Sequence, residues 1–297
     1  MRADELGATL GLWMWWGGWV AWPLLGWALW RLKRGPQWWR RVAAGLAALP
    51  LLVFIDMRFV EPSMLTVRET TLTVGTSARI ALISDLHLGR FKGPGYLQRV
   101  VDRLNAMPLD AVLIAGDFHG VEDGRPFTEL LAPLKELRHP LYTVTGNHDE
   151  KPPGAESVAP ELNAALRGLG AHVMQGAWTR LPSFTLVGLG DYAAGQDGLQ
   201  PLLAAPHDRP IVLLMHNPDS AMQLKPGMAA LALAGHTHGG QMRIPGYYRR
   251  VIPCNFPFDR GLHTFAPVPV FVTSGLGETL WPLRFLNPPV IDVLQFR

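Results

Sequence analysis

Five short apolar runs, each closed by residues able to ligate a metal, constrain this chain more than anything else in it. Arg79 to Ile83 leads into Ser84-Asp85-Leu86-His87, Ala111 to Ala115 into Gly116-Asp117, and Leu141 to Thr145 into Gly146-Asn147-His148-Asp149. Ile211 to Met215 leads into His216-Asn217-Pro218, and Met228 to Ala234 into Gly235-His236-Thr237-His238-Gly239-Gly240. Runs so short and so uniformly apolar predict strands buried on both faces. Open α/β sheets place their ligand crevice outside the carboxyl ends of such strands. Residues two apart on a strand share a face, so His236 and His238 point the same way. Helical spacing over Leu97 to Met107 supplies a layer to cover the sheet.

The donor set has a definite chemistry. Asp85, Asp117, Asn147 and the histidines His87, His216, His236 and His238 offer oxygen and nitrogen without any thiolate. That set suits two divalent first-row ions, such as manganese, iron or zinc. One carboxylate must lie between the ions for them to approach within about 4 Å. Asp117 fits, because it lies mid-order and stands on a Gly116 hinge. A single Asp-x-His or Gly-Asp is an ordinary turn; the force lies in all five occurring in order. Other polar residues have two readings. Asp149 either orients His148 or caps a turn, and Arg284 either binds phosphate or pins the C-terminal strand. His119 lies close to Asp117 but is not counted as a ligand. Asp191 reads as a turn residue, and His139, His172, His207 and His263 as surface or loop residues.

With those motifs in place, the chain resembles the calcineurin-like metallophosphoesterases. Their pattern is Asp-x-His, Gly-Asp, Gly-Asn-His-Asp/Glu, a lone His and Gly-His-x-His, and it runs here from Asp85 to His238. The resemblance implies a four-layer αββα sandwich. It also implies that Asp85, His87, Asp117 and His238 hold one metal, and that Asp117, Asn147, His216 and His236 hold the other. His148 would face the substrate without ligating. The implied reaction is attack on phosphorus by a hydroxide shared between the metals, with His148 offsetting charge or protonating the leaving group. His216-Asn217-Pro218-Asp219, the stretch from Gly235 to Pro245, and Ser274-Gly275-Leu276-Gly277 resemble a narrower branch. That branch holds membrane-attached bacterial phosphoesterases and animal transmembrane proteins with a metallophosphoesterase domain. Some relatives cleave the pyrophosphate of UDP-2,3-diacylglucosamine, but the best-known enzyme of that kind carries Arg where this chain has His148. Phe118-His119-Gly120 is a second departure, since many branch members place an apolar residue and then Asp there.

Composition divides the chain in two. Nine of the 11 tryptophans lie between Trp13 and Trp39. Ala8 to Trp30 is uncharged and long enough to span a bilayer; Val42 to Ile55 is shorter and spans only if extended to Val60. Residues 1–60 therefore read as a membrane region with two candidate spans, and residues 61–297 as the catalytic domain. Between the runs stand Arg31, Lys33, Arg34, Arg40 and Arg41, which the positive-inside rule places in the cytoplasm. Two spans then put the catalytic domain on the periplasmic or extracellular side of the inner membrane. A second run lying only in the interface would leave the domain facing the cytoplasm. Arg40-Arg41 also resembles a twin-arginine signal, although topology alone explains the pair. Met1 to Val60 holds seven Lys/Arg against three Asp/Glu, and the rest holds 20 against 21. The basic balance thus belongs to the membrane region, and no basic groove for nucleic acid is expected. Cys254 is alone, so no intramolecular disulfide forms.

Three functions follow as expectations. The first is a dimetal phosphoesterase acting on a lipid-linked or other membrane-proximal phosphate ester. The second is a UDP-diacylglucosamine pyrophosphatase, which needs a cytoplasmic face. The third is a non-catalytic membrane interaction module, against which the intact donor set argues. The Pro/Gly-rich stretch Glu150 to Pro160 is placed to shape a substrate mouth. The insertion Ile244 to Phe265, with Tyr247, Tyr248, Arg249, Arg250, Phe256 and Phe258, either meets lipid headgroups or packs as an ordinary loop.

Overall fold

The computed structural model describes residues 3–34, 37–151 and 155–297. Pro152 to Gly154 of the expected substrate-mouth loop lie outside the described residues. Twelve strands follow in order: β1 (Thr66–Leu72), β2 (Ala78–Ile83), β3 (Ala111–Ala115), β4 (Leu141–Val144), β5 (His172–Val173) and β6 (Ala177–Arg180). Then come β7 (Thr185–Gly188), β8 (Ile211–Leu214), β9 (Leu231–Ala234), β10 (Gly261–His263), β11 (Val270–Val272) and β12 (Val290–Phe296). They form two six-stranded sheets, in the orders β1-β12-β2-β3-β4-β5 and β10-β11-β9-β8-β7-β6. All five ligand-bearing runs become strands, and β2, β3 and β4 are mutually parallel, as are β8 and β9. Their C-terminal ends therefore meet at one edge of the sandwich.

Burial on both faces explains the unbroken apolar runs. Ile80 and Leu82 of β2 enter the core between the sheets, where they meet Leu186, Leu214 and Leu233. Ala81 and Ile83 point the other way, beneath helical residues Leu97, Val100, Leu104, Leu162 and Leu166. On the second sheet, Leu231 and Leu233 of β9 face inward, while Ala232 and Ala234 face outward to Leu202 and Ala205. Helix Pro94–Asn105 buries Tyr96, Leu97, Val100, Val101 and Leu104, the stripe that its spacing predicts. The four-layer αββα expectation holds, with a thin outer layer on the second sheet made by Gln200–Ala204 and the 3₁₀ turn Pro218–Gln223.

The N-terminal region is a helical hairpin. Helix α1 (Ala3–Gly17) passes through a 3₁₀ turn, Gly18–Val20, into α2 (Ala21–Arg34); α3 (Trp38–Ile55) returns. Gly18 lies beside Arg58 and Phe59, and Gly45 beside Leu32, so the two arms run antiparallel. Ala21, Leu25, Ala28, Ala48 and Ile55 form the seam, where small residues let the helices approach closely. Among the described residues, one helix is long and apolar enough to cross a membrane, Trp38–Ser63, of 26 residues and mean hydropathy 1.8. At about 1.5 Å per residue it is roughly 39 Å long, against a hydrocarbon core of about 30 Å. The first run, Ala8 to Trp30, was expected to be the better span, yet it is divided between α1, the 3₁₀ turn and α2. The run carries seven tryptophans, and indole rings favour the membrane–water interface over the hydrocarbon centre.

The hairpin is stapled to the sandwich. The Arg58 guanidinium stacks on Trp15 and Phe59 and donates to the carbonyls of Met14 and Trp15. The Glu61 carboxylate accepts the backbone N–H groups of Leu286 and Asn287. Arg284 donates its own N–H to the Met57 carbonyl at 2.9 Å. Its guanidinium, fully buried, donates to the carbonyls of Asn287, Ser274, Gly275 and Gly277, and lies 3.4 Å from Glu278. Of its two readings, pinning the C-terminal segment is therefore the one the structure bears out. Arg284→Ala should cost about 3–5 kcal/mol, because four buried carbonyls lose their donor and the Glu278 carboxylate keeps only Lys92. Arg284→Lys should rescue little, since an ammonium lacks the planar fork. Denaturant unfolding midpoints check this; unchanged midpoints would leave Arg284 without a structural role.

Candidate metal centre

Each ligand candidate leaves a strand end, and the backbone there is unusual. Nine described non-glycine residues have positive φ, and five of them are Asp85, His87, Asp117, His236 and His238. Left-handed backbone is costly for residues with a Cβ and persists where surrounding structure demands it. Concentrated at the ligand positions, it turns side chains back over the sheet edge. The neighbouring glycines make room: a Cβ on Gly146 would sit 2.3 Å from Asp117 Oδ1.

The side chains converge in two groups. Asp85, His87, Asp117 and His238 bring one ligand atom each within 4.8 Å of one another, all buried. His87 Nε2 lies 3.1 Å from His238 Nε2 and 3.5 Å from Asp117 Oδ2, and His238 Nε2 lies 3.4 Å from Asp85 Oδ1. In the second group His216 Nε2 lies 3.1 Å from His236 Nδ1, 3.1 Å from Asn147 Oδ1 and 3.3 Å from Asp117 Oδ2. The same Asp117 oxygen thus faces both groups.

The ring tautomers show what this arrangement requires. His87 Nδ1 lies 3.0 Å from the His119 carbonyl, His216 Nδ1 2.7 Å from that of Ala115, and His236 Nε2 2.9 Å from that of Pro253. A carbonyl only accepts, so those nitrogens carry the protons. The opposite nitrogen of each neutral ring is then a bare lone pair aimed into the cluster. Metal-ligating histidines have this same arrangement, with the outer N–H fixed by a carbonyl. Either tautomer of His238 leaves a nitrogen unpaired, since its buried Nδ1 has no hydrogen-bond partner among the described residues. So many inward lone pairs fit divalent cations.

Without a metal, a proton takes the cation's place. Burial opposes charge on His216, but Asp117 and Asp85 outweigh it and raise its pKa to about 10. Burial, reinforced by the charge of Asp117, pushes Asp85 up to about 7. Burial also holds His87 down to about 3 and His236 to about 4, the latter with help from the charge on His216.

Asp149 resolves in favour of its capping role. Its carboxylate accepts the backbone N–H groups of Phe118, His119 and Gly146, tying the Asp117 loop to the Asn147 loop. His148 instead gives its backbone N–H to Asp117 Oδ1 at 2.9 Å, and its half-buried ring stands edge-on to His87, centroids 4.8 Å apart. Asp191 accepts the Ala194 N–H within a turn, as expected. The His119 ring packs near Phe127 and Glu122, and only its carbonyl serves the cluster. Sequence reading missed Asn287, whose amide donates to the His238 carbonyl at 2.6 Å. No motif marks it, and its partner lies 49 residues away.

A cavity of about 510 Å³ opens over the cluster, reaching from Asp117, Asn147 and His148 to Ile244, Tyr247 and Val251. Residues 78–240 match the family model described as calcineurin-like phosphoesterase. This chain belongs to that family. Phosphodiesterase YaeI of Escherichia coli (strain K12) is 30% identical over 225 residues, covering 73% of this chain and 81% of that protein. Metallophosphoesterase YkuE of Bacillus subtilis (strain 168) is 28% identical over 257 residues, covering 81% and 88%. A transmembrane protein with metallophosphoesterase domain from Danio rerio is 31% identical over 230 residues; the match spans 70% of this chain and 51% of that longer protein. Family membership and the cluster together make the chain a metal-dependent phosphoesterase, a hydrolase, which sets aside a non-catalytic module.

Metal affinity should depend on pH with a definite sign, because metal must displace bound protons. Below about pH 10 His216 gives up a proton to bind metal, so affinity should climb about tenfold per pH unit. Below about 7 the climb should steepen, as Asp85 must ionise too. Competition titrations from about pH 6 to 9, in buffers of different ionisation enthalpy, check this; flat affinity without proton release would contradict it.

Proposed function

We propose that the chain is a membrane-anchored dimetal phosphoesterase that hydrolyses a phosphodiester, phosphomonoester or pyrophosphate bond in a lipid-linked or membrane-proximal substrate. The observation that carries this reading is Asp117 Oδ2, 3.5 Å from His87 Nε2 and 3.3 Å from His216 Nε2. A carboxylate so placed could be shared by two ions, one of which Asp85, His87 and His238 would hold and the other Asn147, His216 and His236. Two such ions, whether manganese, iron or zinc, would supply when bound an activated water and a Lewis acid for the phosphoryl oxygens.

The chain's own groups do the rest. No Ser or Cys lines the described cavity, and the Thr237 hydroxyl is engaged with the Asp259 carbonyl and the Gly239 N–H. No serine or cysteine nucleophile is therefore offered. His148 lines the same cavity beside Asn147 and does not share the inward lone-pair cluster, which frees it to hold the phosphate or protonate the leaving oxygen. Its position is set through the backbone, by Asp117, so its ring is held while remaining unligated.

The hairpin bears on sidedness. Arg31, Lys33, Arg34, Arg40 and Arg41 sit at its tip, and the catalytic sandwich is stapled to its other end. With the basic tip in the cytoplasm, the sandwich lies on the periplasmic or extracellular side. That favours a membrane lipid over a nucleotide-linked lipid made in the cytoplasm, and so favours this reading over the UDP-diacylglucosamine one. A C-terminal reporter active only outside the cytoplasm should be active; a silent reporter beside an active cytoplasmic one would reverse the assignment.

His148→Ala should lower turnover by about 10²–10⁴ while both metals remain. The loss should be smaller for substrates whose leaving group needs no proton. Metal analysis alongside rates decides the matter: loss of metal would make His148 a ligand, and equal losses across leaving groups would leave it only a phosphate-binding role.

A further inference from the structure

The cavity over the cluster has two unlike ends. One is the cluster itself; the other is hydrocarbon, made by Ile244, Val251, Pro253, Leu280 and Trp281. Its volume, about 510 Å³, lies within the range of small-molecule sites. Outside the cluster no charged side chain lines it, its Gln241 amide and Thr237 hydroxyl are spent within the protein, and the Trp281 indole N–H is a buried donor without a partner among the described residues. The Gln241 amide donates to the carbonyls of Thr279 and Trp281 and accepts the Thr279 N–H, bridging the wall to itself. Beyond that indole N–H a sugar or a base held there would meet a mainly apolar wall, and an unpaired polar group is expensive to bury.

The mouth is apolar as well. Leu280 is 51% exposed and holds φ at 59°, so a strained backbone keeps an apolar side chain at the rim. Ile244, Tyr247 and Val251 are similarly exposed across from it. Helix α1 abuts this rim directly: a Cβ on Gly11 would meet the Leu280 carbonyl oxygen at 2.1 Å, and the Trp15 ring packs on Phe91 at 5.2 Å. Exposed Leu10 and Trp13 on α1 continue the apolar surface toward the hairpin. Arg249 and Arg250, both exposed, follow Tyr247 and Tyr248 at the mouth, where anionic headgroups would meet them.

We propose that this cavity holds one hydrocarbon chain of the substrate, entering from the membrane side, with the ester phosphate seated at the Asp117 and His148 end. The proposal rests on the phosphoesterase reading above and adds the substrate class: a phosphate ester carrying a single long alkyl or acyl chain near the reacting phosphorus, drawn from a membrane lipid. Chain length then controls binding through the wall, and headgroup identity matters less.

The test is a series of alkyl p-nitrophenyl phosphodiesters, from methyl to dodecyl, each below its micelle threshold, given to the metal-loaded full chain in detergent. Each added methylene should raise kcat/KM by up to about fourfold until the cavity is filled, the fold-change that about 0.8 kcal/mol per buried methylene yields. Val251→Asp and Leu280→Asp should flatten the series. A dodecyl phosphonate bearing a diazirine at its tail should label residues 244–251 or 280–281, a readout independent of turnover. A flat series in the unaltered chain, with the methyl ester still hydrolysed, would overturn the chain-binding cavity and leave the phosphoesterase standing. Preference for a nucleotide ester over the dodecyl ester, or labelling confined to residues 38–63, would also overturn it. Failure to hydrolyse any member, with p-nitrophenyl phosphate and an alkyl pyrophosphate also left intact, would overturn both readings.

Discussion

Asp117 is the constraint around which the rest is arranged. One carboxylate oxygen takes the His148 N–H, and the other faces His87 and His216 together. It is buried, its φ is positive, and it stands against a glycine whose missing Cβ gives it room. Its charge sets the field of the site, raising His216 against burial and helping to raise Asp85 and Asp149. A buried anion among so many acceptors is costly unless cations join it. The sandwich therefore holds a poor site for nothing and a good one for positive ions. Asp149 helps to hold the loops in that frustrated geometry by spending its own carboxylate on three N–H groups.

Much of this was legible in the chain. Runs such as Ala111 to Ala115 have no polar face because both faces are covered, so they announce central strands and their order. Ligand types standing at the ends of those runs located the cluster, since parallel strands bring their C-termini to one edge. Other features were not legible. The left-handed backbone at Asp85 and His236 arises from the turn that each must make, not from a glycine at that position. Asp149 and Arg284 are polar residues whose partners are backbone groups, and backbone partners leave no mark in a sequence. The Ala8 to Trp30 run reads as one uncharged span, but a 3₁₀ turn divides it between two helices, and neither its charge nor its length marks that turn.

The expected division at residue 60 has a different character in three dimensions. The helix Trp38–Ser63 does not end in a loose tether. Its last turns put Met57, Arg58, Glu61 and Pro62 into contact with α1, with Lys92 and with the segment from Ser274 to Asn287. Lys92 bridges the Pro62 carbonyl and Glu278, the carboxylate that also pairs with Arg284. Anchor and sandwich share a buried polar network, and such networks fix one arrangement when most members are paired.

That network ends at the metal cluster. Glu61 holds the backbone of Asn287, and the Asn287 amide holds the carbonyl of His238. If the helix Trp38–Ser63 sits in a bilayer, its lipid environment and the occupancy of the ion site are linked through these bonds. Whatever straightens or frays the helix end, such as a thinner bilayer, a harsh detergent or a chain shortened past Ser63, would be felt as a change in ion affinity. By the same linkage, loading the ions would stiffen the end of that helix.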